Sequence, residues 1–203
     1  MSQPLTSRRE RLRHEAVVEI KRFAMRQLAE SGAAGISITA IAKQMGMTGP
    51  ALYRYFANRE ALLTALIRDG YADLAQTAER AAKRAAALPP AERLHVVAAA
   101  VRGWALAEPQ RYLLLFGTPV PGYEAPMDTL DEATRTLNVL IAITAELASE
   151  PSRALVLATV AWTRLHGIIS LELVGQFTHL DVDPESLLAG EMNSLVAQAI
   201  TTV

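Results

Sequence analysis

The sequence predicts an all-α fold, and three observations support that class. Alanine and leucine dominate nearly every segment, and apolar residues recur three and four positions apart, as on one face of a helix. No stretch shows the sustained alternation of apolar and polar residues that marks a strand between turns. With 203 residues, 51% of them hydrophobic, the chain can bury a substantial core, and this composition excludes intrinsic disorder.

The first predicted helix covers about residues 7–30 and ends at Ser31 and Gly32. Its apolar stripe, at helical spacing, consists of Leu12, Ala16, Ile20, Phe23 and Gln27 or Leu28. Two short helices are predicted next, joined by a turn of about three residues.

Capping signals delimit these two short helices. Ser37 is a favourable N-cap for the second helix, and Ile36 and Ile41 flank it as a hydrophobic staple. Gly46 supplies the left-handed residue that ends the second helix. Thr48 then caps a third helix, which begins immediately after it.

The rest of the chain is predicted to form longer helices separated by proline and glycine. Asn58 caps a fourth helix that extends to about residue 88, and residues 117–126, with three prolines and two glycines, must be a loop. Further helices are predicted at about 90–108, 111–116, 128–148 (started by Asp128, Asp131 and Glu132) and 152–177, and a last one begins at Asp183-Pro184.

The formal net charge of -1 conceals an uneven distribution. Residues 1–60 contain ten Lys and Arg against five Glu, which gives +5 and leaves −6 for the remainder. A basic first quarter on an acidic remainder indicates an anionic partner for the N-terminal part alone. Four of these cations, Arg8, Arg9, Arg11 and Arg13, lie at the start of the first helix, as a DNA-facing arm or as a solvated face.

The chain contains no cysteine, which excludes disulfide scaffolds and thiolate chemistry. The N-terminus is polar and basic, unlike a secretory signal. The apolar segment 154–177 is interrupted by Arg164, His166 and Glu172, so we expect no membrane span and a cytoplasmic protein.

Ala42, Gly46 and Leu52 have the spacing of a helix-turn-helix. A small residue at 42 lets the two helices cross closely and Gly46 turns the chain. Ile41, Met45, Leu52 and Phe56 are predicted to seal the crossing. This geometry leaves the N-terminal half of the third helix exposed to a DNA major groove.

Residues 38–63, ITAIAKQMGMTGPALYRYFANREALL, resemble the DNA-binding segment of the TetR family of transcriptional regulators, and the match extends over about residues 9–70. The resemblance implies a homodimer that binds a palindromic operator, usually as a repressor released by a small hydrophobic effector. It implies a helix-turn-helix DNA-binding domain at 1–70, with the motif at about 37–57, and a larger helical effector-binding and dimerisation domain at 71–203.

The resemblance assigns a DNA-binding role to eight residues of this chain. Thr39 would contact a base or a phosphate, and the variable reading positions would be Thr48, Gly49, Pro50 and Ala51. Phosphate contacts would come from Tyr53, Tyr55 and Arg59. Because the reading positions are small and largely apolar, we expect contacts to thymine methyls and backbone amides, with polar terms from Thr39, Thr48 and Arg54.

The alternatives for these residues are structural. Tyr53 and Tyr55 are packing aromatics in the alternative interpretation. Arg59 lies in the first turn of the fourth helix, where the helix dipole disfavours a cation, and a docked phosphate would remove that conflict. Otherwise Arg59 is solvated or paired with Glu60 or Glu30.

The segment carrying Trp162, His166 and Gly167 resembles a Trp/His/Gly-bearing C-terminal domain found in one branch of the family, as do residues 113–123. The helix at 152–177 is apolar almost all round, so we expect a second subunit to cover it. With the helix at 128–148 (Leu130, Leu137, Leu140, Ile141, Leu147), it would form a four-helix dimer interface. The two reading helices would then lie about 34 Å apart.

His166 shares one helical face with Trp162, Leu165 and Ile169, so it is either a polar group in an effector pocket or a core histidine. Trp104, Tyr112, Phe116 and Met127 are the other large residues expected to line a pocket, with plain core packing as the alternative.

Two rival functions have less support in the sequence. An enzyme is disfavoured, because the chain has no histidine pair at metal-ligand spacing, no glycine-rich phosphate loop and no Gly-x-Ser-x-Gly elbow, and we expect no cofactor and no metal. Asp181, Asp183 and Glu185 resemble the start of a calcium loop, but Asp183 as a helix N-cap explains them better. A helical adaptor that has lost DNA binding is disfavoured by the basic N-terminal quarter.

Overall fold

A computed structural model describes residues 8–120, 122–127 and 129–200, and every regular element within them is helical. The predicted all-α class is therefore confirmed. The helices are α1 (Arg8–Ser31), α2 (Ile38–Gln44), α3 (Gly49–Leu52), α4 (Arg59–Arg84), α5 (Pro90–Ala107), α6 (Pro109–Phe116), α7 (Thr129–Leu147), α8 (Ala154–Leu173) and α9 (Pro184–Ile200), with 3-10 turns at Ala33–Gly35 and Pro151–Arg153.

The chain forms two compact units. The first consists of the described part of Met1–Asp69 together with Leu113–Pro126, and the second consists of Gly70–Tyr112 with the described part of Met127–Val203. Leu114, Val120 and Tyr123 pack against the core of the first unit, and the Tyr123 hydroxyl lies 3.0 Å from Thr64 Oγ1. The segment after α5 thus contributes to the unit built by the first four helices, a feature that the sequence pattern did not predict. The domain limits at 70 and 71 stay a prediction.

The predicted stripe of α1 is correct in its C-terminal half. Ile20, Phe23, Gln27 and Leu28 are all buried. The stripe is wrong at Leu12, whose side chain is 55% exposed because the first turns of α1 lie outside the core.

The predicted capping signals have the expected geometry at α2 and only part of it at α3. Ser37 Oγ accepts a hydrogen bond from the Ala40 amide at 3.3 Å, and Gly46 has a φ of 67°, the left-handed conformation that favours glycine. Thr48 stands at the N-cap of α3 with an extended backbone, but its side chain makes no capping hydrogen bond there. The helix that follows is only four residues long, and Leu52 is fully buried.

The later helices begin where predicted and end earlier at two places. The Asn58 carboxamide accepts from the Ala61 amide at 2.8 Å and caps α4, and Asp183 accepts from the Ser186 amide at 2.9 Å and caps α9. The predicted fourth helix stops at Arg84. The helix at 152–177 stops at Leu173, because Gly175 has a φ of 74°. Asp128 and the side chain of Leu130 lie outside the described residues.

The second unit has its own core. α7 packs along α8, and Thr144 fixes their connection by donating from Oγ1 to the Ala154 carbonyl at 2.8 Å. Within the described residues α8 is long and apolar enough to meet the length and composition of a membrane span. Leu157, Leu165 and Ile169 are among its residues that are buried inside this unit, and 39% of its most apolar 18-residue stretch is buried.

Candidate nucleic-acid interface

The segment from Thr48 to Arg54 presents a row of residues to solvent. Thr48, Pro50, Tyr53 and Arg54 are exposed, as is Thr39 on α2. Gly49 and Ala51 are half-buried. Leu52 is the one member of this segment that enters the core. Every predicted reading position of the helix-turn-helix therefore lies on the surface or at the margin of the core.

The two tyrosines of this segment differ. Tyr53 is 48% exposed, which is unusual for a large aromatic side chain and leaves its hydroxyl available to a partner. Tyr55 is half-buried and packs against the core of the first unit. Packing thus accounts for the buried part of Tyr55 and does not account for Tyr53.

A groove rich in arginine lies beside the reading segment. Its walls join the first turns of α1 to α3, and its volume is about 570 Å³. We call it the arginine groove; it is lined by Arg8, Arg9, Leu12, Arg13, Met47, Ala51, Arg54 and Tyr55. Leu12, exposed where the sequence predicted a core residue, forms part of its apolar surface, and Met47 was not predicted as a site residue at all.

The charged side chains that line the arginine groove are all positive. Four guanidinium groups line it and no carboxylate does. Within the described part of the chain, none of the four forms an ion pair. Arg11 is not among them, because it lines a separate depression with Glu10, His14 and Glu15. Uncompensated cations on a concave surface produce a local field that attracts a polyanion.

Arg59 contacts backbone carbonyls that the sequence did not predict, together with Glu60, one of its predicted alternative partners. Its Nη2 donates to the Ala33 carbonyl at 2.7 Å and its Nε donates to the Ile36 carbonyl at 3.2 Å. Its Nη1 lies 3.9 Å from Glu60 Oε1, and the side chain is 27% exposed. The conflict between this cation and the N-terminus of α4 is therefore compensated by backbone carbonyls of the first unit, and no external phosphate is needed for that purpose.

In the second unit, three of the predicted pocket residues come together. The Tyr112 hydroxyl lies 2.6 Å from His166 Nδ1 and 3.3 Å from Ser170 Oγ, and the Trp162 ring stacks on the His166 ring with centroids 5.4 Å apart. Burial lowers the pKa of His166 and raises the pKa of Tyr112 to about 12, so both groups are neutral near pH 7. A neutral hydroxyl–imidazole pair of this kind stabilises a core and equally presents polar atoms to a ligand.

The other three predicted pocket residues have different surroundings. Trp104 is buried, and its Nε1 donates to Asp73 Oδ2 at 3.0 Å, an oxygen that also accepts from Arg111 at 2.9 Å. Met127 is 79% exposed. Phe116 belongs to the first unit. A pocket role for Trp104, Phe116 and Met127 stays a prediction.

One of the acidic clusters, residues 181–185, lies at the start of α9. Among the described residues, no group of three or more His, Asp or Glu side chains is placed to hold a metal ion. The Asp183 carboxylate is engaged with Ser186, and these hydrogen bonds lower its pKa, as expected for a helix cap.

A short helix, a tight glycine turn and an exposed second helix beside an arginine groove define a helix-turn-helix DNA-binding module carried by a larger helical unit. Comparison with known proteins agrees. Residues 22–66 match the family described as bacterial regulatory proteins, tetR family, and residues 94–195 match the tetracyclin repressor-like C-terminal domain.

Relatives cover nearly the whole chain. The HTH-type transcriptional regulator Rv1816 of Mycobacterium tuberculosis is 35% identical, over 91% of this chain and 92% of its own. The crystal structure of the regulatory protein SCO4313 superposes with a TM-score of 0.86 at 43% identity, covering 94% of this chain and 100% of that one. The fatty acid degradation regulator FadR from Bacillus halodurans has the same fold, with a TM-score of 0.69 at 16% identity, covering 88% and 97%.

The chain belongs to the TetR family of bacterial transcriptional regulators. It is a DNA-binding regulator with a helix-turn-helix, and its relatives are regulators, not enzymes. The resemblance to the Trp/His/Gly-bearing branch stays a prediction.

Proposed function

We propose that this protein is a cytoplasmic repressor that binds a palindromic operator as a homodimer and is released by a small hydrophobic effector. The observation that carries the DNA contact is the exposed segment from Thr48 to Arg54 beside the arginine groove. The cations of this groove have no ion-pair partners among the described residues, so they can bind a phosphate backbone. The exposed small residues beside them can then enter the adjacent major groove.

Reading and phosphate contact divide between two sets of residues. Thr39, Thr48, Gly49, Pro50 and Ala51 read bases, chiefly through hydroxyls, backbone amides and apolar contact with thymine methyls. Tyr53, Arg54 and Tyr55 contact phosphates, joined by Arg8, Arg9 and Arg13 of the groove. Arg59 is omitted from this set, because two of its nitrogen atoms already donate to carbonyls.

The dimer face that we propose is centred on α8. The predicted pair was the helices at 128–148 and 152–177, but Leu140 of α7 is buried in its own unit, and the exposed residues of α7 are polar or alanine. By contrast, Val156, Gly167 and Leu171 lie exposed along α8. Small and apolar residues permit close approach of the α8 helices of two subunits about a two-fold axis.

The dimer test uses one charge substitution. Leu171→Glu places a carboxylate on the proposed face, and we expect the protein to become monomeric in light scattering coupled to size exclusion. Leu106→Glu, at an exposed leucine of α5, is the matched control and should leave the dimer intact. A Leu171→Glu protein that stays dimeric would rule out this face.

Operator binding is tested by selecting duplexes from a random-sequence pool with the wild-type protein. We expect a palindromic consensus and an affinity that decreases linearly with the logarithm of salt concentration. Tyr53→Ala should abolish binding while leaving the circular dichroism spectrum unchanged. An affinity independent of salt would refute the phosphate contacts.

Effector release is tested on the selected duplex. A library of small apolar compounds is screened for dissociation of the protein–duplex complex by fluorescence anisotropy, with His166→Ala as the comparison. We expect some compounds to release the wild-type protein and to act more weakly on the variant. Release that is identical in both proteins would exclude His166 from the effector site.

A further inference from the structure

The connection between α1 and α2, residues 32–37, is fastened from two sides. From α4, Arg59 donates to the carbonyls of Ala33 and Ile36. From α1, the Gln27 carboxamide oxygen accepts from the Ser37 amide at 2.9 Å. Gln27 is only 9% exposed, so this polar side chain is held inside the first unit by that contact.

The connection controls the position of α2. Ile36 is 3% exposed, and its neighbour Ser37 is the N-cap that starts α2. Within the 3-10 turn, the Ala33 carbonyl accepts from the Ile36 amide only at 3.4 Å, whereas the guanidinium supplies a shorter, charge-assisted hydrogen bond. The hydrogen bonds to these carbonyls therefore also fix the direction of α2 and of the turn after it.

We propose that Arg59 is a positioning residue that braces the helix-turn-helix, and that it does not contact phosphate. The brace links α4 to the start of α2 and so sets the presentation of the reading segment. The guanidinium fork is required for this role, because two carbonyls accept from two different nitrogen atoms and a single ammonium cannot reproduce that geometry. This inference rests on the proposed operator binding for its DNA readout.

Lysine separates the two roles of Arg59. A phosphate contact tolerates Arg59→Lys, because lysine remains a good point charge for phosphate. A brace does not, because lysine cannot make the second hydrogen bond. We expect Arg59→Lys and Arg59→Gln each to weaken binding to the selected duplex about tenfold or more, with the salt slope unchanged.

Arg54 provides the matched control, since it is an exposed arginine of the same unit that lines the groove. Arg54→Lys should bind nearly as the wild type, whereas Arg54→Gln should lower the salt slope by about 0.9 for each phosphate that the side chain no longer neutralises. The expected result is therefore that Arg59→Lys weakens binding whereas Arg54→Lys does not.

A second readout needs no DNA. Amide hydrogen exchange of residues 36–41 should be faster in Arg59→Lys than in wild type, because the connection then loses one of its two hydrogen bonds from α4. Thermal unfolding confirms that each variant is folded. The Gln27→Ala/Arg59→Lys double variant should show a coupled, non-additive effect on this exchange.

The outcomes are decisive. The proposal is overturned if Arg59→Lys binds as the wild type, if Arg59→Gln lowers the salt slope, or if exchange at residues 36–41 is unchanged. Should the wild-type protein select no duplex, operator binding fails as a function, and the exchange measurement alone decides the brace.

Discussion

Tyr112→Phe removes a single oxygen from the core of the second unit. The Tyr112 side chain is 1% exposed, and its hydroxyl lies 2.6 Å from His166 Nδ1. Burial raises the pKa of the hydroxyl to about 12, so the hydroxyl keeps its proton at pH 7.5 and forms a hydrogen bond with the imidazole nitrogen. Deleting it takes a short hydrogen bond from a partly buried imidazole without changing the shape of the ring.

The expected decrease in free energy of unfolding is about 1–2 kcal/mol at pH 7.5, the range for a buried hydrogen bond whose partner stays behind. For a chain of this length that corresponds to a decrease in Tm of about 2–4 °C per kcal/mol. Urea unfolding followed by tryptophan fluorescence is the assay, because Trp104 and Trp162 both lie in the second unit and are its two indole reporters.

The pH dependence has a definite sign. Burial lowers the pKa of His166 in the folded state, so the unfolded chain binds the proton more readily. The stability contributed by neutral His166 is fully present above the unfolded pKa of about 6.5 and is lost as pH decreases below it. We therefore expect wild-type stability to decrease between pH 7.5 and 5.

Tyr53→Phe is the control, because it deletes the same oxygen from an exposed tyrosine of the first unit and should leave stability unchanged. At fixed protein concentration, a Tyr112→Phe protein as stable as the wild type at pH 7.5 would refute the assigned hydrogen bond.

Three further substitutions test the first unit. Leu52→Ala, at a fully buried residue of α3, should lower the free energy of unfolding by about 2–5 kcal/mol in chemical denaturation, and a decrease below about 1 kcal/mol would contradict its place in the core. Gly46→Ala should lower it by about 1–2 kcal/mol, because its φ of 67° disfavours a Cβ atom although no neighbour obstructs one; Gly49→Ala is the unstrained comparison. Tyr123→Phe removes the contact to Thr64 Oγ1 and should lower it by about 1 kcal/mol, whereas an unchanged midpoint would show that this hydrogen bond contributes nothing.

Local signals in the sequence predicted the helix-turn-helix well. Ser37, Gly46 and Asn58 act through atoms within four residues of themselves, so their roles follow from short-range geometry. Leu12 was assigned to the core by the same periodicity, and this failed because a helical stripe does not specify how far the core extends along it.

Some features of the site residues likewise follow from local sequence, and others do not. That Tyr53 would be exposed follows from its place beside the buried Leu52 on a short helix, where neighbouring residues point in different directions. The partners of Arg59, by contrast, are carbonyls 23 and 26 residues earlier in the chain. Carbonyl acceptors leave no signature in a sequence, because every residue has one.

The sequence by itself determined the helical class, the family, the motif and the concentration of positive charge in its first 60 residues. Only the tertiary structure decided that residues 113–126 join the first unit, that Arg8, Arg9 and Arg13 converge on Arg54, and that Arg59 turns inward to the backbone. The physical reason is the separation along the chain over which each effect acts. Propensity, capping and periodicity act over one or two helical turns, whereas these contacts depend on where the packed helices bring distant parts of the chain.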